Sequence, residues 1–236
     1  MSARAANATY WLGFRQSLPF LLVIIPFSLL FGVAGSEAGL TLAEVMGFSV
    51  LVIAGASQFT AVQLMSDNAP MLIVIATALA VNLRLAMYSA SLTPHIGAAP
   101  TWQKVLTAYF MVDQVYALSI QEYERQPRRS LAEKVAFFAG ASTPVCTLWI
   151  VFTLVGATVG GAIPPAFALD FAVPITFLAM LAPMLRSLAH VAAAAVSVVL
   201  ALALSFLPGG VGLLVAAAAA MVTGAQVERW QHRRQA

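Results

Sequence analysis

Three ionisable side chains fall inside long apolar stretches of this sequence: Arg84, Asp113 and Asp170. A lone charge at mid-bilayer costs several kcal/mol, so such groups are paired or serve function. Asp113 stands about ten residues from either end of its apolar stretch, with Gln114 beside it. It is a candidate to bind an ion or an ammonium group, or to act as the structural partner of Arg84. Arg84 follows Asn82, and the two point in different directions around a regular helix; the guanidinium can receive a carboxylate or snorkel to an interface. Asp170 lies only a few residues into its stretch, where interfacial solvation also accounts for it. A further polar group, Ala54-Gly55-Ala56-Ser57-Gln58, interrupts another apolar run at mid-depth. Gly55 allows close backbone approach, and Ser57 and Gln58 are candidates to line a polar path. Gln63 is read as bonding a neighbouring helix. These types suit an apolar zwitterion: Arg84 or the amides near Gly55–Gln58 for its carboxylate, Asp113 for its ammonium. Proton coupling would fall first to Asp113 and second to Asp170.

Other chemistries lack their residues. The sequence has no G-x-x-x-x-G-K-[ST] phosphate loop. Its single cysteine, Cys146, excludes an internal disulfide or a CxxC metal site, and His95, His190 and His232 are far apart with no H-x-x-x-H spacing. No cofactor, metal or nucleic acid is expected. An intramembrane enzyme would need a nucleophile with a base, a metal pair or a carboxylate dyad. Only Asp113 and Asp170 suggest the last, so a non-enzyme is expected, with a non-transporting membrane scaffold as the alternative.

The surrounding elements are set by composition. Of 236 residues, 61% are hydrophobic and 9% charged, against about 25% charged in a soluble domain. The apolar runs suit helices crossing a core of roughly 30 Å, and the alternation of a β-barrel is absent. The expected fold is an all-α, polytopic transmembrane bundle in one domain, 1–236. About eight spans are read, at 17–35, 43–66, 70–92, 103–122, 135–156, 167–184, 188–207 and 210–226. Turn residues mark the joints, including Ser66-Asp67-Asn68, Pro94 to Pro100, Pro127 and Pro208-Gly209-Gly210. Pro26, Pro144 and Pro174 predict kinks, and Gly55 predicts a break. Ala54-Gly55-Ala56-Ser57 recurs as Ala139-Gly140-Ala141-Ser142, by internal repeat or by coincidence in an Ala- and Gly-rich chain. The first apolar run, with Pro19 and Pro26, reads as a span and not a cleaved leader.

Eight spans place ten basic residues on one side: Arg4, Arg15, Arg125, Arg128, Arg129, Lys134, Arg186, Arg229, Arg233 and Arg234. Only Lys104 is left for the other side. The positive-inside rule then makes both termini cytoplasmic. Tyr10, Trp11, Trp102 and Trp230 are read as interfacial belt, and Trp149 as packing. His95, His190, Glu37 and Glu44 are read as solvated.

Several stretches resemble the AzlC family, the large subunits of branched-chain amino acid exporters. They are Gly13-Phe14-Arg15, Leu18-Pro19-Phe20, Ile25-Pro26-Phe27, Phe31-Gly32, Ala38-Gly39-Leu40, Ala54 to Phe59, Val81-Asn82-Leu83-Arg84, Tyr88 to His95, Asp113 and Leu169 to Pro174. They run in family order from residue 13 to about 185. Two positions depart: Leu85 stands where the family often has His, and Gln114 where it often has Glu, which weakens any two-carboxylate coupling scheme. The resemblance implies amino-acid export across the cytoplasmic membrane, driven by an ion gradient, with a small hydrophobic AzlD-type partner subunit.

Overall fold

A computed structural model describes residues 3–159, 185, 187–207 and 211–235. The expected all-α membrane-helix class is what it shows, and there is no strand among the described residues. The chain forms two compact units. One holds the described residues up to Phe59 and from Val81 to Val159; the other holds Thr60–Ala80 and the described residues from 185 onward.

The first unit is built on two long helical runs. Helix α1 (Ala3–Ser17) continues through a 3-10 turn (Leu18–Phe20) into α2 (Leu21–Glu37), and α8 covers Leu131–Val159. Both runs are long and apolar enough to cross a membrane. Pro26 and Pro144 lie inside α2 and α8 without ending either helix. The two runs lie parallel, pressed together at glycines: Cβ atoms added at Gly13, Gly140, Gly32 and Gly156 would meet Phe137 O, Tyr10 O, Thr153 O and Leu29 O at 1.9–2.3 Å. Without a hydrophobic drive between helices in lipid, such close backbone contact supplies the packing energy. Gly140 belongs to the second Ala-Gly-Ala-Ser, which therefore serves a continuous helix, whereas the first straddles a helix start at Gly55.

The stretches expected as spans two and four each form two short helices. Hairpin 1 is α3 (Leu42–Leu51) and α4 (Gly55–Ser66); hairpin 2 is α6 (Thr101–Tyr109) and α7 (Asp113–Arg125). In hairpin 1, Val45 meets Gly35, Phe48 meets Phe31, and Ser49 bonds Thr153 at 3.1 Å. The chain then reaches Gly55 beside Trp149 and Phe27, and returns so that Gln58 bonds Ser49 and Phe59 meets Phe31. Hairpin 2 enters from the other end of this unit. Met111 at its tip contacts Ser89, Phe110 O contacts Cys146, and Tyr123 has climbed back to His95 and to the Lys134 carbonyl.

Hairpin 2 changes one expectation. Lys104 lies at the same end of the unit as Arg125, Arg128, Arg129 and Lys134, and not opposite them. The reason is the reversal at 110–112, where Val112 adopts an extended φ of −123° and ψ of 161°. Irregular backbone at membrane depth survives when buried in protein, and Met111, Ile53 and Ala54 are all buried. At the basic end, Glu122 accepts from Arg125 and Arg129, each with one nitrogen at 2.5 Å, and Arg129 also reaches Thr9.

Between the hairpins runs α5 (Met71–Ile96), also long and apolar enough to span. In the second unit, α9 (Leu188–Ala203) and α10 (Val211–Gln235) form an antiparallel pair, with Gly212 near Leu204 and Gly224 near Ala193. Helix α10 is also long and apolar enough to span, and its last turns carry Glu228, Arg229 and Arg233. Trp11, Trp102 and Trp230 are exposed and Trp149 is buried. The expected sixth span and Pro174 lie outside the described residues.

Candidate functional site

Arg84 is near the middle of the 26-residue α5, a helix long and apolar enough to cross a membrane. Its Nη1 lies 3.1 Å from Asp113 Oδ2, and both side chains are about three-quarters buried. Asp113 is the first residue of α7, so its carboxylate also sits at the positive end of a helix dipole. Two atoms of the pair make no hydrogen bond: Arg84 Nε and Asp113 Oδ1. A cation with a spare donor thus stands beside an anion with a spare acceptor.

Aromatic side chains hold the pair in register. Tyr88 lies one turn along α5 from Arg84, and its ring stacks on Tyr116 with centroids 4.0 Å apart and planes 9° apart. Tyr116 in turn donates to Ser91 at 3.0 Å. The Tyr88 hydroxyl lies close to the Asp113 carboxylate. The pairs 84 with 113, 88 with 116 and 95 with 123 advance together, so α5 and α7 run parallel. Tyr109, at the end of α6, donates its hydroxyl to Val50 O at the end of α3. That bond joins the two hairpin tips and satisfies a carbonyl the helix end leaves free.

Other expected site residues lie elsewhere. Gly55 starts α4, and a Cβ there would come within 2.7 Å of Trp149 and 2.8 Å of Phe27. Ser57 is buried and bonds the Ala54 carbonyl. Gln58 is fully buried in a relay, donating at 3.3 Å to Ser49, which bonds Thr153; its Oε1 has no partner. Ser57 and Gln58 thus belong to the packed side of hairpin 1 with the aromatic group Phe27, Phe31, Phe59 and Trp149. Asn82 is part-buried with Oδ1 unpartnered. Asp170 lies outside the described residues. Sequence reasoning missed Tyr88, Tyr109 and Tyr116; the i, i+4 spacing of Arg84 and Tyr88 was the available signal. No cluster of His, Cys, Asp or Glu suited to a metal occurs among the described residues.

A helical unit with two hairpins and an ion pair between α5 and the start of α7 is that of a membrane protein. The AzlC protein family model matches residues 19–163, more than half of the chain, and the chain belongs to that family. Among curated relatives, the inner membrane protein YgaZ of Escherichia coli (strain K12) is 27% identical over 74% of this chain and 73% of its own. An uncharacterized membrane protein of Archaeoglobus fulgidus is 29% identical over 93% of this chain and 95% of its own. One of Helicobacter pylori is 28% identical over 62% of each. No solved structure matches the chain.

Proposed function

We propose that this protein is an ion-coupled secondary transporter that exports small aliphatic amino acids of the branched-chain type across the cytoplasmic membrane. The observation that carries the reading is the Arg84–Asp113 pair near the middle of α5, with one unused donor and one unused acceptor. A bound zwitterion offsets the penalty of both charges, its carboxylate on Arg84 and its ammonium on Asp113. Asp113 is the first candidate for the coupling ion, and a small hydrophobic AzlD-type subunit is the expected partner. Both termini are cytoplasmic: α1 starts at the end of its unit that holds Lys104 and Arg125 to Lys134, and α10 ends in arginines. The relative named as an inner membrane protein supports the same location.

Purified protein in liposomes, with and without the small subunit, tests this reading. Labelled leucine should exchange across the vesicle wall, and an imposed pH gradient should accelerate its net export. Intact, folded protein that moves no aliphatic amino acid in either preparation would overturn it.

A further inference from the structure

The helix bounds of the two hairpins repeat at a nearly constant spacing. Leu42 and Thr101 start the hairpins and Ser66 and Arg125 end them, each pair 59 positions apart (101 against 42, 125 against 66); the inner bounds, Leu51 with Tyr109 and Gly55 with Asp113, are 58 apart. Helices α5 and α8 start at Met71 and Leu131, one position off the outer spacing. The contacts follow suit. Helix α6 runs antiparallel along α5, through Met111 with Ser89, as α3 runs antiparallel along α8, through Ser49 with Thr153. Helix α7 runs parallel to α5, and the first turns of α4 run parallel to α8. Each hairpin therefore packs on the long helix that follows the other hairpin, and the two enter from opposite ends.

The outer spacing of 59 pairs Tyr109 with Val50 and the inner one of 58 pairs it with the adjacent Leu51; Tyr109 touches Val50. Elements related by a twofold axis touch through equivalent residues only where the axis passes. We infer that, within the first unit, residues 42–59 with 81–96 and residues 101–118 with 140–155 form an inverted repeat whose pseudo-twofold axis passes at the Val50–Tyr109 contact, with Tyr109 positioning the two hairpin tips across the site. The last part rests on the transport reading; the repeat itself does not. Inverted repeats with broken helices at the midplane exchange the conformations of their halves during alternating access.

The symmetry is one of backbone and not of charge. The outer spacing places Ala54 opposite Asp113, Thr143 opposite Arg84 and Thr147 opposite Tyr88. The charged end of a ligand therefore belongs to the hairpin 2 half, while the hairpin 1 half offers Gly55 and aromatic rings. Hairpin 2 is also held unevenly: α7 is tied down by Glu122, whereas α6 borders a mostly apolar cavity of about 550 Å³ against α8. Helix α6 is the arm with room to shift.

Single cysteines in a Cys146→Ala background test the inference without any substrate. Ala43→Cys marks the mouth of hairpin 1, and Lys104→Cys and Gln126→Cys mark both ends of hairpin 2. With a membrane-impermeant maleimide on intact cells and inverted vesicles, 104 and 126 should react from one side and 43 from the other. Labelling of 104 and 126 from opposite sides, or of 43 from the side of 104, overturns the inverted repeat. For the tie itself, Tyr109→Phe should raise the labelling rate of the buried Ala54→Cys about two- to tenfold, the effect of one net hydrogen bond. An unchanged rate removes Tyr109 from its positioning role and leaves the repeat standing.

Discussion

Asp113 Oδ2 and Arg84 Nη1 meet at 3.1 Å across two helices that run in the same direction. Consecutive spans cannot make a parallel pair; the intervening α6 turns the chain round so that Asp113 starts a helix beside the middle of α5. Asp113→Asn leaves Arg84 without its counter-ion. Gradient-driven export should fall by at least about tenfold, the worth of one charged hydrogen bond, while amino-acid exchange stays measurable. Arg84→Lys keeps the charge but loses the planar fork, and export should also drop about tenfold. Flux in proteoliposomes, normalised to folded protein, measures both.

Gly55 has no room for a side chain. Even Gly55→Ala must displace Trp149 or Phe27, at a cost of roughly 1–3 kcal/mol. Gly55→Leu should impair transport more than it impairs expression, because the start of α4 is forced away from α8. Thermal unfolding in detergent beside a flux assay separates the two effects.

Glu122 is almost fully buried and accepts from two arginines. Glu122→Gln should destabilise the protein by about 2–3 kcal/mol, somewhat below the usual loss for a broken buried pair because Arg125 is largely exposed. Arg125→Ala should cost under about 1 kcal/mol. Equal effects in a chemical unfolding series would contradict this division.

The seam between α1–α2 and α8 depends on having no Cβ at four positions. Gly140→Val would drive a branched side chain into the Tyr10 carbonyl, which already lies 1.9 Å from an ideal Cβ. Loss of folded, monodisperse protein is expected, whereas Gly47→Ala should be silent since nothing lies within 4 Å of its Cβ. Size-exclusion profiles of the two variants check the contrast.

Apolar length and buried charge made the helical membrane class, and the residues Arg84 and Asp113, legible in the sequence. The hairpins were less so. A stretch of about 25 apolar residues has the same composition whether it crosses or doubles back, and the turn at Phe110-Met111-Val112 contains neither Gly nor Pro. The other turn was signalled by Gly55, yet the left-handed residue is Ile53, with φ of 42°. Pro26 and Pro144, whose rings predict kinks, lie inside α2 and α8 without ending either helix. Direction of travel also hid the role of Tyr109, whose partner Val50 is 59 residues away and polar only through its backbone.

In the proposed transporter, Arg84 and Asp113 read the two charged ends of one ligand. Counterflow of labelled leucine, competed by leucine, by 3-methylbutylamine and by 4-methylpentanoate, tests it most directly. Wild-type protein should be inhibited strongly by leucine and weakly by the amine or the acid alone, since each leaves one buried charge unpaired. In Asp113→Asn the penalty for lacking an ammonium should shrink, so that 4-methylpentanoate gains on leucine by about tenfold. An Asp113→Asn protein that transports leucine and ranks the three competitors as the wild type does would contradict the shared site.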